Sequence, residues 1–249
     1  MEGIRRGRSH LFLYTKPEQR RRFGSLGFYP VAQTDHVLLM EDERDGIARF
    51  VSAIPKTRAK PVGAMVVNCN PFTMGHLRLI ESAAKECGYI YILVVSEEKS
   101  TFSSGDRLRL VREGTMHLSN LCVHPTGDYL ISSATFPTYF IKEKKQAAAF
   151  NSELDLQVFA EHFAHPLGIT RRYIGSEPFC PVTRRYHQQM KEYLPARGIE
   201  VIERPRFVVD SQAVSASRVR LLFSQGRMAE LRPLVPDCTF RFLQGGGGR

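Results

Sequence analysis

The sequence predicts an α/β chain whose main part is a Rossmann-like, doubly wound parallel sheet. From about residue 61 onward, short unbroken apolar runs alternate with amphipathic helical stretches. Unbroken apolar strands are those buried on both faces, as in a parallel sheet covered by helices. The polar, glycine-bearing segments directly follow the runs, where open α/β sheets bind ligands at the carboxyl ends of their strands.

Taken in order, His10–Thr15 reads as a short strand, Pro17–Arg22 as a basic helical turn, Leu26–Pro30 as a Gly/Pro-punctuated turn and Val37–Met40 as a second strand. Two strands and a turn of helix cannot close a core. Residues 1–50 are therefore a fragment that is either poorly ordered or packed on something else, and its removal up to about Ile54 is expected to leave the main domain folded. A charged helical connector, about Glu41 to Lys60, leads to that domain, residues 61–243. Its strands are Gly63–Asn68, Tyr89–Val95, Leu121–His124, Tyr173–Gly175 and Ile199–Glu203. The first helix, Gly75–Cys87, gathers Leu77, Ile80, Ala83 and Ala84 on one face, the spacing of an amphipathic helix. Further helices are Gly105–Leu118, with Leu108, Val111 and Met116 apolar, then Thr183–Leu194 and Ser217–Gln225. An insert, about Ser132 to Thr170, is helical around Asp155–Phe163, and residues 244–249 form a Gly-rich flexible tail.

Lysine and arginine number 35 against 25 acidic residues, a net charge of +10. This balance suits anionic partners, but the basic residues are scattered apart from Arg20-Arg21-Arg22, so nucleic acid is not expected. Cys69, Cys87, Cys122, Cys180 and Cys238 form no CxxC pair, which suggests reduced thiols in a cytoplasm. No apolar run is long enough for a membrane span and no signal core follows the N-terminus. His117, His124, His162, His165 and His187 show no spacing that suggests a metal site.

Two segments carry chemistry. Asn68-Cys69-Asn70-Pro71-Phe72-Thr73-Met74-Gly75-His76 joins the first strand to its helix. The first-turn amides of a helix lack internal partners and make an anion site. Gly75 permits close approach of a phosphate or base, Thr73 can orient the attacking group or bind phosphate, and His76 can offer a hydrogen bond or a positive charge to bridging oxygens. Asn68, Asn70, Pro71 and Phe72 shape the loop around the nucleotide. Alone, the segment also fits a plain βα turn with a capped helix. Val214-Ser215-Ala216-Ser217-Arg218-Val219-Arg220 follows the fifth strand; Ser215, Ser217 and the helix start suit β- and γ-phosphates, with Arg220 balancing charge. Alone, it also fits a Ser N-cap with solvated arginines. Lys99, after the second strand, can reach a phosphate or the acyl donor or be a surface lysine. Gly175 follows the fourth strand, and Arg184 opens the next helix facing the triphosphate or solvent.

In this order and strand context, the two segments resemble the paired signature of HIGH-type nucleotidyltransferases. Further blocks resemble the citrate lyase ligase family: Phe102 with Asp106-Arg107-Leu108, Val111 and Gly114-Thr115; Ala134–Lys142; Glu153–Gln157; Gly175–Cys180; and Val182-Thr183-Arg184 with Gln188-Gln189-Met190. The resemblance implies an enzyme that joins acetate and ATP into acetyl-AMP with release of pyrophosphate. It then implies transfer of the acetyl group to the prosthetic-group thiol of the citrate lyase acyl carrier subunit. Mg2+ is expected from triphosphate chemistry. The family also implies a preceding acetyltransferase-like (GNAT) domain, of which Gly7–Met40 resembles only the last strands, so a partial remnant without acetyltransferase activity is expected. Competing readings are another adenylyltransferase, of the phosphopantetheine or nicotinamide mononucleotide type, and an inactive remnant that binds the carrier subunit.

Overall fold

The computed structural model describes residues 10–98, 100–132 and 147–247. Lys99, the Ala134–Lys142 block, the start of the chain before His10 and Gly248 lie outside the described residues.

The front of the chain forms a three-stranded antiparallel sheet from β1 (Phe12–Thr15), β2 (Tyr29–Gln33) and β3 (Leu38–Glu41), in the order β1-β3-β2. β2 begins inside the segment read as a turn. Its proline, Pro30, is tolerated because β2 is an edge strand, and the turn ends before it, at Gly27, whose φ is 87°. A short helix, α1 (Arg20–Gly24), links β1 to β2, and α2 (Gly46–Ser52) leads out of β3.

The main sheet holds β4 (Val62–Val67), β5 (Tyr89–Val94), β6 (Leu121–Pro125), β7 (Arg171–Gly175) and β8 (Glu200–Arg204), all parallel, in the order β6-β5-β4-β7-β8. Alternate residues of β4 serve the two faces: Val62 and Ala64 join one core, Met65 the other. Helices α3 (Met74–Glu86), α4 (Ser104–Gly114), α5 (Ala147–Val158) and α6 (Pro181–Tyr193) connect the strands. A helix fragment with a wider turn, Phe159–Ala164, extends α5. α4 stops short of the expected Leu118, at Gly114, where a Cβ would lie 2.5 Å from the Phe72 ring. Met116 lies beyond it, 79% exposed, and is no part of an apolar face. After β8 come a hairpin of β9 (Val208–Val209) and β10 (Gln212–Ala213), then α7 (Ala216–Ser224), α8 (Met228–Leu231) and α9 (Asp237–Gln244). Leu231, Leu234, Val235 and Leu243 from this end pack with Phe102 and Val214 in a third apolar cluster. Gln244 closes α9, and the amides of Gly245, Gly246 and Gly247 donate to the Arg241, Leu243 and Phe242 carbonyls. The described part of the expected loose tail is thus a hydrogen-bonded turn.

The front sheet is not an appendage. Val31, Ala32, Val37, Leu39, Ile47, Val51 and Ile54 share one core with Tyr91 and Leu93 of β5 and with Phe159 and Phe163. At the seam, buried Glu41 accepts from Tyr129 Oη at 2.7 Å, from the Ile47 amide at 3.0 Å and from His10 Nε2 at 2.9 Å. His162 Nε2 donates to the Val31 carbonyl at 2.8 Å. The sequence-based expectation for truncation is therefore reversed. Buried Val, Leu and Ile side chains contribute about 1.5–3 kcal/mol each, so the six in the front set together are comparable to a typical total stability of about 5–15 kcal/mol. A chain beginning at Pro55 is expected to give no cooperative melting transition by calorimetry; a melting temperature equal to the full chain's would contradict the shared core.

Among the described residues no helix is long and apolar enough to cross a membrane, and all five cysteines are free.

Candidate active site

The strand order reverses at β4, since its neighbours β5 and β7 lead away on opposite sides. β4 pairs with β5 along its whole length but with β7 only at Gly63 and Ala64. Beyond Ala64 the two strands part, and a cleft of about 540 Å³ opens at their carboxyl ends. Ligands of open α/β sheets bind at such a reversal. The cleft brings together Asn68, Thr73, Gly75, His76, Gly175 and Ser215. Asn70, Pro71, Phe72, Ser217 and Arg220 are not among its lining residues, and Arg184 lines a neighbouring hollow.

His76 is held by the start of its own helix. The Thr73 amide donates to His76 Nδ1 at 3.1 Å, the Thr73 hydroxyl lies 2.8 Å from the same nitrogen, and the His76 amide donates back to Thr73 Oγ1 at 3.4 Å. This is a capping box with histidine in the place usually taken by Glu or Gln. An amide can only donate, so Nδ1 is the acceptor and the ring proton sits on Nε2. Phe72, fully buried, stacks on the ring at 6.1 Å between centroids; it packs under the histidine and is not a ligand contact. Burial first, then the charge of Arg206, lower the His76 pKa to about 4. Near neutral pH His76 is thus a neutral N–H donor. Of the two roles read from the sequence, the geometry keeps the hydrogen bond and removes the positive charge. Thr73, with its hydroxyl committed to His76, positions the ring and has no hydrogen left for phosphate.

His187, on the cleft wall, is likewise lowered to about 4, by burial and then Arg172. For both rings the unfolded chain takes up a proton in the window from 6.5 down to about 4 that the folded chain does not. Their contribution therefore makes stability rise with pH across that window. We predict that the C2 proton resonance of His76 shows no titration between about pH 5.5 and 8, a range that spans the ordinary histidine midpoint of about 6.5; a midpoint near that value would contradict a neutral ring in the partly enclosed cleft.

The loop ahead of His76 is organised by Arg107, which lies completely buried in α4. Its guanidinium donates to the carbonyls of Asn68 (2.9 Å), Val95 (2.6 Å), Glu97 (2.6 Å) and Phe102 (3.1 Å), and to Asn68 Oδ1 (2.8 Å). One side chain thus ties the ends of β4 and β5 to the segment before α4. Asn70 adds a cross-link by accepting from the Phe102 amide at 3.1 Å. Between the two asparagines, Cys69 is held at φ 49°, a conformation a non-glycine residue adopts only when its surroundings enforce it. The sequence signal for Arg107 was present: it falls on the same helical stripe as Leu110, Val111 and Gly114, where a charge is out of place.

The second segment meets the first. Ser215, not Ser217, caps α7, accepting from the Arg218 amide at 3.2 Å. A Cβ on Gly75 would lie 3.4 Å from the Val214 carbonyl, so α3 and α7 begin side by side against the cleft. Arg220 donates to the Asn70 carbonyl, and to Ser217 Oγ at 3.0 Å, which locks the second segment to the first. Arg78, Arg204 and Arg206 also line the cleft, and among the described residues none that lines it is a carboxylate. Arg206 was missed in the sequence, although it follows the last strand at its carboxyl end. Among the described residues no cluster of His, Cys, Asp and Glu could hold a metal ion.

A parallel sheet in this order, with a histidine N–H donor and two helix starts at its central carboxyl edge, defines the class: an α/β fold of the HIGH nucleotidyltransferase type, joined here to a small antiparallel sheet. A comparison with known families narrows the class, since the profile of the citrate lyase ligase C-terminal domain matches residues 62–243. The chain is 43% identical over 244 residues to the citrate (pro-3S)-lyase ligase of Klebsiella pneumoniae, covering 95% of this chain and 71% of that protein. It is 39% identical to the ligase of Escherichia coli, covering 95% and 69%. The chain belongs to the citrate lyase ligase family. Among solved structures, the pantothenate synthetase of Thermus thermophilus matches at TM-score 0.42 and 18% identity, over 72% of this chain and 75% of that one. The bifunctional NMN adenylyltransferase/ADP ribose pyrophosphatase of Francisella tularensis, complexed with AMP and a manganese ion, matches at TM-score 0.42 and 18% identity, over 74% and 48%.

Proposed function

We propose that the cleft activates acetate with ATP, giving acetyl-AMP and pyrophosphate, and that the acetyl group then passes to the prosthetic-group thiol of the citrate lyase acyl carrier subunit. The observation that carries the first half is the pair of helix starts, α3 and α7, facing one cleft beside the His76 N–H, with no carboxylate among its described lining residues. First-turn amides hold phosphate oxygens, and a preorganised donor stabilises the charge that develops as the acetate oxygen attacks the α-phosphorus. His76 supplies that donor from Nε2. Arg220 and Ser217 stand behind the second helix start, where the leaving pyrophosphate gathers charge. Mg2+ would accompany the triphosphate as its counter-ion, since the described lining residues offer it no carboxylate. The second half rests on membership of the family, whose Klebsiella and Escherichia members are named for the lyase they act on. The three-stranded front sheet, together with the resemblance of Gly7–Met40, supports its reading as part of an acetyltransferase-like domain now serving the core.

The test of the whole reaction is transfer of labelled acetate to the holo-carrier subunit in the presence of ATP. The expected product is a hydroxylamine-labile thioester; label that resists hydroxylamine would contradict a thiol acceptor. For the nucleotide half, the double variant Ser217→Ala, Arg220→Ala is expected to weaken ATP binding by about tenfold or more, the scale of a lost charge-assisted contact, with AMP binding little changed. Equal losses for ATP and AMP by calorimetry would place these residues away from the β- and γ-phosphates.

A further inference from the structure

The loop between β7 and α6 is built with unusual care for one that ends in an exposed ring. The Glu177 carboxylate accepts from the amides of Phe179 at 2.9 Å and Cys180 at 3.0 Å. Arg184 donates to the carbonyls of Glu177, at 3.1 Å, and Pro178. Arg206 donates to the Ser176 carbonyl at 2.7 Å and pairs with Glu177. The product of all these bonds is a phenyl ring held 65% exposed, with the Arg206 guanidinium carbon over its face, 5.5 Å from the centroid. A loop free to rearrange would gain by burying that ring; this one is tied so that it cannot.

Beside the loop lies a second hollow, about 460 Å³, lined by Pro178, Arg184, Gln188 and Lys191 among others. It adjoins the cleft, and Ser176 and His187 line both. His187 has a buried Nδ1 with no hydrogen-bond partner. The two acidic residues of the hollow are each matched by a cation, Glu177 by Arg206 and Glu203 by Lys191 at 2.6 Å. Arg184, in contrast, bonds only backbone carbonyls, so its charge has no carboxylate partner among the described residues.

We propose that this hollow and the Phe179 ring seat the thiol-bearing arm of the acceptor, an amphipathic chain that carries phosphate. The inference rests on the function proposed above. Nucleotide and acetyl group occupy the cleft in that reaction, so the thiol must reach the acetyl carbon through an adjoining opening, and the hollow is one that shares a wall with the cleft. An uncompensated guanidinium suits the phosphate of the arm, and an exposed phenyl suits its aliphatic part. In the transfer step the sulfur bonds to the acetyl carbon, the bond from that carbon to the AMP phosphate oxygen breaks, and the thiol proton passes to solvent.

The test separates the two half-reactions. Phe179→Ala, a change at an exposed side chain, and the conservative Phe179→Tyr are compared with the parent enzyme. Two thiol probes are used, the holo-carrier subunit and free dephospho-coenzyme A. Phe179→Ala is expected to raise the KM for both thiols about tenfold, the loss of one aromatic contact, and Phe179→Tyr to restore it. Acetate-dependent exchange of pyrophosphate into ATP, which needs no thiol, stays within about twofold of the parent on this account. An unchanged thiol KM overturns the proposal, and so does a parallel fall in exchange, which would move Phe179 into the nucleotide site. A parent enzyme without acetate-dependent exchange would overturn the function itself, and is seen before any variant is compared.

Discussion

Replacing His76 with alanine is expected to cut acetyl-AMP formation by several hundredfold. The ring presents one N–H, from Nε2, because Thr73 occupies Nδ1. Removing a preorganised donor of this kind costs about 3 kcal/mol of transition-state stabilisation, or two to three powers of ten in rate. The fold should be kept, since the ring is only partly buried and faces the cleft. Single-turnover formation of labelled acetyl-AMP measures the effect directly. A variant within about threefold of the parent rate would show that His76 caps its helix and does nothing to the nucleotide, for a true oxyanion-type donor is worth far more than that.

The second large effect is expected at Arg107, and it falls on stability. Arg107→Met removes a guanidinium that serves four backbone carbonyls and the Asn68 side chain. Most of those acceptors then lie buried without a donor. Breaking such a buried network costs about 3–5 kcal/mol. In a chain of this size that lowers the melting temperature by about 10 °C. Arg107→Lys should recover little, because one ammonium cannot span acceptors that a planar fork reaches together. A melting temperature within about 2 °C of the parent, less than 1 kcal/mol by the same scaling, would show that water or a shifted backbone replaces these bonds.

The strands of the main sheet were legible because each is an unbroken apolar run, as with Tyr89–Val94, whose pattern depends on nothing distant. β2 was not, because Gly27 and Pro30 signal a turn and only pairing with β3 reveals an edge strand. The α9 end escaped for a related reason: Leu234 and Leu243 find their partners at Phe102 and Val214, far away in sequence. At the site, the positions of His76 and Ser215 could be read from loop and helix signals alone. The charge state of His76 could not, since it depends on burial and on Arg206, which is contributed from another strand end. Arg107 was visible as an anomaly but not as a clamp, because its acceptors come from several separate loops. For the front residues the sequence left two outcomes open, poor order or packing on a partner, because their burial is decided by β5 and by the extension of α5.

The central claim is that the cleft activates a carboxylic acid with ATP before any thiol is present. Exchange of labelled pyrophosphate into ATP measures this with the purified chain, ATP and Mg2+, with and without acetate. The account predicts label in ATP only when acetate is added, and its loss in the His76→Ala variant. Exchange that ignores acetate, or that appears only with a phosphate-bearing acceptor, would contradict it.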